Sequence, residues 1–344
     1  MAKVNDEKFY IGVPADIYTT LNRDAEQFGI YRDNSSEVNM NRFLSLLLLG
    51  YYRKYKQERN EKTIRIRETL SPWIRVQKKA EELAEQMMEE IVLPEVPKRK
   101  GKNPERLSYK PTRETDQIIT EIKENYPAYT QYLCRMFMSY CEKPIHERER
   151  IVFHDTAVFL KEACKGKREI VFTTTNNPGR LHYVIPYDLV AGAEEMNNYL
   201  LCQEYNQYNQ RLEPVSYRLC RIRKPDYSET SGILDKEVAR YLDLMKKNGP
   251  QYAITEDTEI CVKLTPEGQK SYRHIYFARP AFDRIEKLEN GDALYYFSAS
   301  RDLVFRFIIR FRASEAEIIS PPDLRDRVHQ HFRDSVLPYE RDQE

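Results

Sequence analysis

Four arginines, Arg180, Arg218, Arg221 and Arg223, share one stretch with Tyr183, Tyr199 and Tyr217. Guanidinium groups keep their charge and present planar forks of donors. Such forks match phosphate oxygens, and phenol rings match the faces of bases. The chemistry indicated is recognition of a nucleic acid. A plainer reading makes the tyrosines packing and the arginines a solvated face. For Tyr199 and Tyr217 taken alone packing is the commoner use, whereas Arg218 and Arg221 favour ligand contact.

Bond-making chemistry is not indicated. His146, His154, His182, His274, His329 and His331 fall in no HExxH pattern and beside no nucleophile elbow, and the chain has no P-loop and no GxGxxG. His154-Asp155 reads more readily as a helix cap than as an acid–base pair. His182, near the arginines, is the other acid–base candidate, and catalysis there is not expected. Cys134, Cys141, Cys164, Cys202, Cys220 and Cys261 form no Cys-x-x-Cys pair and have no histidine at zinc-ligand spacing. Free buried thiols in a reducing cytoplasm are the expectation. No catalytic residue, metal or cofactor is therefore expected.

The totals constrain any binding surface. Net charge is +1 over 344 residues although 32% of them are charged, so a nucleic-acid site must arise from local segregation of charge. With 25 tyrosines and only 11 glycines, the composition fits a helix-rich protein with stacking surfaces better than a Gly-loop nucleotide enzyme. The amino terminus has no apolar signal segment, and the longest apolar run, residues 44–49, is too short to span a bilayer. A cytoplasmic protein with no membrane association is expected.

The elements that would carry the arginines read as strands. Tyr183, Ile185, Tyr187 and Leu189 alternate, with Pro186 marking an edge or bulge. Residues 199–201 and 217–221 make two more strands, joined by a polar connection over 204–214, and residues 168–174 make the first, closed by turn chemistry at 175–179. Within this stretch Ile185-Pro186 with Leu189, Asn198-Tyr199-Leu200, and Tyr217-Arg218-Leu219-Cys220-Arg221-Ile222 resemble the three motifs of the WYL domain, a small SH3-like or Sm-like β-barrel. Asn198 stands where that family usually has tryptophan, and Cys220 where it has aspartate. The resemblance is close over residues 150–225. It implies a pocket for an anionic ligand, commonly nucleic acid or a nucleotide, lined by Tyr199, Arg218 and Arg221.

Towards the amino terminus, residues 8–13 alternate, with Phe9, Ile11 and Val13 on one face and Lys8, Tyr10 and Gly12 on the other. Pro14 opens a helix that Gly29 ends, and Asn34 with Glu37 is a capping box for a second helix through Tyr51. One short strand and two helices are stable only if a second copy pairs with them. The pattern resembles the ribbon-helix-helix fold, whose outward side chains, here Lys8 and Tyr10, enter a DNA major groove. Pure dimerisation is the equal alternative. A charged helical arm over 60–92, broken at Ser71-Pro72, reads as solvated. A basic Pro-rich linker over 94–105 follows, with Lys98, Arg99, Lys100 and Lys102. Residues 106–141 then repeat the order strand, proline, helix, helix, as a divergent second unit whose strand pairs with the first within the chain or across a dimer.

Beyond the barrel, residues 224–250 read as a linker holding one amphipathic helix. The order β-α-β-β-α-β-α follows, with a hairpin at Asn290-Gly291, and suggests a ferredoxin-like sandwich. It resembles the extension that follows WYL domains, which implies a part in dimerisation or in closing over ligand; Arg306, Arg310 and Arg312 lie on its second helix. The expected fold class is thus α+β multidomain: a ribbon-helix-helix-like helical region over 1–150, a WYL barrel over 151–228 and the extension over 229–344. That combination resembles the WYL accessory proteins of type VI-D CRISPR systems. The resemblance implies a non-catalytic homodimer that binds single-stranded RNA and stimulates an RNA-guided RNase effector. The alternative is a transcriptional regulator whose ribbon reads operator DNA and whose barrel binds a nucleotide or single strand as signal.

Overall fold

The computed structural model describes residues 8–74, 76–89, 93, 94, 96, 105–192, 196–229, 232–254, 259–312 and 314–340. The chain is α+β and divides into two compact units, Met1–Ala157 and Val158–Glu344. Among the described residues, no helix is long and apolar enough to cross a membrane.

In the first unit, strand β1 (Phe9–Val13) leads into helix α1 (Ala15–Gln27), and Gly29 at φ 66° turns the chain out of it. Helix α2 (Met40–Leu70) runs far past Tyr51, and α3 (Gln77–Met87) folds back along it. The expected Asn34 box is not the cap. Residues 31–38 form a small loop closed by a Tyr31–Val38 bridge and an Arg32–Glu37 ion pair, and the side chain of Asn39 accepts from Arg42 N at 3.0 Å instead. Strand β2 (Glu105–Tyr109), α4 (Asp116–Asn125), α5 (Tyr129–Cys141) and α6 (Ile145–Val152) complete the unit.

The first strand needs no second copy of the chain. β1 pairs antiparallel with β2, with Phe9 opposite Tyr109 and Ile11 opposite Leu107. The two strand-helix-helix segments therefore close one ribbon within one chain, and the argument for a dimer through this ribbon falls. Alternation puts Phe9, Ile11, Val13, Leu107 and Tyr109 on the buried face. Asn41 of α2 clamps the end of β2, donating to Lys110 O at 3.1 Å and accepting from Lys110 N at 2.8 Å. Beneath lies a buried ion pair: Arg148 Nη2 donates to Asp24 Oδ1 at 2.9 Å, and Tyr140 donates to Asp24 Oδ2 at 2.9 Å. Gly50 lets α2 meet α6, since a Cβ there would lie 1.9 Å from the Ile151 carbonyl oxygen.

Helix α7 (His154–Gly166) runs across the division into a five-stranded antiparallel sheet. Its strands are β3 (Ile170–Thr174), β4 (Asn177–Ala191), β5 (Asn198–Asn206), β6 (Arg211–Arg218) and, after a 3-10 turn at Leu219–Arg221, β7 (Ile222–Tyr227). The order is β6-β5-β4-β3-β7. The expected closed barrel is not formed: among the described residues no ladder joins the two edges, β6 and β7. Pro186 lies at a bulge, between Pro186 and Asp188, one of the two roles its place in the strand suggested, while β4 itself is an inner strand and not an edge. The expected polar connection over 204–214 is largely strand.

One face of this sheet buries Ile170, Phe172, Val184, Leu200, Cys202 and Ile222. Over part of the other lies α8 (Lys236–Asn248), whose Val238, Tyr241, Leu242 and Met245 pack with Leu201. Residues 224–250 are thus no linker. Their first residues extend β7, and their helix is a layer of the fold, tied down by Tyr187 to Asp243 at 2.6 Å and Lys246 to Asp188 at 2.6 Å.

The remaining elements are β8 (Ile260–Leu264), α9 (Pro266–His274), β9 (Arg284–Lys287), β10 (Ala293–Phe297), α10 (Arg301–Ile308), β11 (Ala316–Ser320) and α11 (Pro322–Glu340). This is the β-α-β-β-α-β-α order read from the sequence, in a four-stranded antiparallel sheet ordered β11-β8-β10-β9. Gly291 at φ 88° makes the β9–β10 turn. Val262, Leu264, Tyr295, Phe297 and Ile318 pack with Leu303, Val304 and Phe307 of α10. The six cysteines are free thiols. Burial pushes Cys134 up to about 11 and Cys141 and Cys164 up to about 12, so they stay protonated.

Candidate nucleic-acid interface

Strand register sorts the four arginines into different places. On β4, Arg180 shares a face with His182 and Val184, whereas Tyr183 points the opposite way and is 53% exposed. The expected set is therefore not one surface. Arg180 Nη2 donates to Glu204 Oε1 at 3.4 Å. His182 Nδ1 lies 2.9 Å from the same oxygen and 2.9 Å from the Tyr217 hydroxyl. Tyr217 donates to Glu204 Oε2. Burial, with Glu204 beside it, holds the Tyr217 phenol well above its ordinary range, so it stays a donor. His182 stacks on Phe172 with centroids 5.6 Å apart. One carboxylate thus collects three donors at the rim of the core, and the charge of Arg180 is matched before any ligand arrives.

Arg223 is occupied too, since its Nη1 donates to Cys220 O at 2.7 Å and Ile222 O at 2.9 Å, bracing the 3-10 turn. Arg221 sits in that turn with its side chain exposed, while its carbonyl accepts from Thr175 N at 2.9 Å. The backbone that carries Arg221 is thereby pinned to the β3–β4 turn.

Tyr199 and Arg218 are brought together, directly opposite each other on β5 and β6. Cross-strand partners share a face, so the ring and the guanidinium are neighbours. The Tyr199 ring lies against Gly192, where a Cβ would come within 3.2 Å of Cε2. Arg218 Nε is buried with no protein partner, and so is Asn197 Oδ1 at the start of β5. Both atoms are closed to solvent.

In the first unit, Lys8 and Tyr10 stand on the outward face of the ribbon as expected; Tyr10 is 57% exposed and Lys8 Nζ lies 5.8 Å from its ring. The sequence reading missed their cross-strand neighbours. Ser108 faces Tyr10, and the exposed Arg106 faces Gly12. Only the ribbon pairing reveals them. Lys98, Arg99, Lys100 and Lys102 lie outside the described residues. His182, Glu204 and Tyr217 also escaped notice as a group, because Glu204 sits in what reads as a polar connection. Among the described residues no three His, Cys, Asp or Glu side chains are grouped to hold a metal ion.

No protein-family model and no curated protein matches the chain. Among solved structures it is similar, over 100% of its length and 96% of the other chain, to a protein described as CRISPR Cas-related, with a TM-score of 0.73 and 19% identity. A partial likeness to proteasome accessory factor B/C of Arthrobacter aurescens covers 68% of this chain and 37% of that one, at a TM-score of 0.29 and 12% identity, too low to bear on the fold. The chain shares its whole fold, both units included, with the CRISPR Cas-related protein.

Proposed function

We propose that this chain is a non-catalytic accessory protein of a CRISPR system, which binds single-stranded RNA and stimulates an RNA-guided RNase effector. The observation that carries the reading is the full-length likeness to a protein described as CRISPR Cas-related. In this reading the five-stranded sheet is an SH3-like WYL domain, left open at one seam, and the last seven elements are its ferredoxin-like extension. Tyr199 stacks on a base while Arg218 and Arg221 hold phosphates. The exposed side chain of Arg221, one turn beyond the Tyr199–Arg218 pair, supports a ligand at that end of the sheet. The type VI-D assignment, the effector as partner and a homodimeric state rest on the sequence resemblance.

The test is a binding titration with labelled single-stranded RNA, single-stranded DNA and duplex DNA of equal length, at two salt concentrations. Tight, salt-sensitive binding of single-stranded RNA, weakened by Arg218→Ala with Arg221→Ala, is the expected result. One observation favours a second reading, an operator-binding regulator: the assembled ribbon presents Lys8, Tyr10 and Arg106 together. Preference for duplex DNA, lost in Lys8→Ala with Arg106→Ala, would establish that reading and remove the first.

A further inference from the structure

From Glu267 to Asp283 the chain carries Lys270, Arg273, His274 and Arg279 with no acid between. From Asp302 to Glu315 it carries Arg306, Arg310 and Arg312, again with no acid between. The fold joins these stretches. Arg310 Nη1 donates to the Phe277 carbonyl at 2.6 Å, and its guanidinium lies 5.6 Å from the Phe277 ring. Among the described residues, the nearest acids are already engaged. Asp302, 3.5 Å from Arg306, also takes Arg327 at 2.8 Å, and Glu315 accepts from Ser271 at 3.0 Å. In a chain of net charge +1, this is a place where cations outnumber the anions beside them.

The loop between α9 and β9 is built rather than slack. Tyr272 donates to Pro280 O at 2.6 Å, Asn248 Oδ1 accepts from Ala281 N at 3.3 Å, and Arg279 Nη1 donates to Arg273 O at 3.2 Å. Yet this pinned loop holds Tyr276 at 82% exposure and Phe277 at 50%. Large rings held out to solvent beside exposed guanidiniums are how single-strand binders take hold: charge on the phosphates, rings on the bases. A duplex keeps its bases stacked within itself and offers the rings nothing.

We infer that the end of α9, the α9–β9 loop, α10 and the residues just after it form a second contact surface for single-stranded nucleic acid, with Arg273, Arg306 and Arg312 on phosphates and Tyr276 and Phe277 on bases. It shares no residue with the Tyr199–Arg218 pair and stands whether or not that pair binds. Arg310 keeps the loop in place and is left out of the tested set.

The experiment titrates the full chain with labelled oligouridylate over a range of salt, and crosslinks it to oligouridylate carrying 4-thiouridine. In Arg273→Gln with Arg306→Gln and Arg312→Gln, affinity falls about tenfold or more, and the slope of log affinity against log salt flattens by about 2, at about 0.7 per phosphate. Tyr276→Ala weakens binding about fivefold or more at every salt concentration. Crosslinks fall on Tyr276 or Phe277, and all variants melt with the wild type because the substituted side chains are exposed. Unchanged affinity and slope with no crosslink at these rings overturns the inference, and capture of an acidic protein instead would do the same. If Arg218→Ala with Arg221→Ala still weakens binding in that case, the sheet reading survives alone. If only the patch variants weaken binding, the sheet reading falls and this one stands.

Discussion

The arginines of the five-stranded sheet and those around the α9–β9 loop are the same residue in opposite company. In the sheet, Arg180 meets Glu204, and Arg211 Nε donates to Glu213 at 2.8 Å. Around the loop no acid separates one cation from the next in sequence. Strand geometry explains the first case. Side chains two apart on one strand, such as Arg211 and Glu213, or on neighbouring strands, such as Arg180 and Glu204, project on one face within reach of each other, and opposite charges there attract. A loop and a helix end impose fewer such partners, Asp302 beside Arg306 being one, so positive charge accumulates. The number of arginines in a stretch is therefore a poor guide to the charge it can offer a ligand; the acids that register brings alongside decide.

That contrast can be broken most severely at Glu204. Glu204→Ala strips three donors of their acceptor at the edge of the core and should cost about 2–4 kcal/mol in urea unfolding. Asp302→Ala, beside the loop arginines and largely solvated, should cost under about 1 kcal/mol. Equal losses would erase the distinction between the two regions. Next in size, Arg218→Ala with Arg221→Ala should weaken single-stranded RNA binding about tenfold or more with an unchanged melting temperature. Arg180→Gln should shift the same affinity less than about twofold, because Glu204 already matches its charge; a loss as large as that of the double variant would show the ion pair to be dispensable.

The smallest effect is in acid. Burial opposes the ionised form of Glu213, but hydrogen bonds from Asn206, Asn209 and Arg211 prevail and hold it below the usual carboxylate range. A carboxyl lowered in the folded state adds stability above its unfolded value, and that stability is lost as pH falls through the folded one. Glu213→Gln should therefore lower the urea midpoint at neutral pH and leave it nearly unchanged in strong acid. An equal deficit at both would show that the side chain acts by packing.

Much of the fold was legible because period and punctuation agree. The β8–α9–β9–β10–α10–β11 order follows from alternation and from Asn290-Gly291, and both ribbon strands follow from alternation before a proline. The misreadings have physical causes. The stretch 204–214 reads as a connection because nearly all its side chains are polar, yet β5 and β6 run through most of it and only 207–210 turn. Helix α2 outruns its apolar stripe: its buried side chains stop at Tyr55, so the stretch beyond reads as a separate arm, although the break at Ser71-Pro72 does mark where the helix ends at Leu70. At the site, types alone grouped Arg180 with Tyr183, though three positions apart on a strand means opposite faces. The motifs singled out Tyr199 and Arg218, and the register sets them opposite each other, while Asn197 was invisible, because an unfilled hydrogen bond leaves no trace in sequence.

The ribbon of the first unit has one more consequence. Its two strands, Phe-Tyr-Ile-Gly-Val and Glu-Arg-Leu-Ser-Tyr, differ in sequence and belong to one molecule. A ribbon built from two identical chains carries a twofold axis and must address a palindrome. This one has Lys8 and Tyr10 on one side and Arg106 and Ser108 on the other, so whatever it meets can be as lopsided as itself. Its assembly is also a first-order event, complete at any dilution.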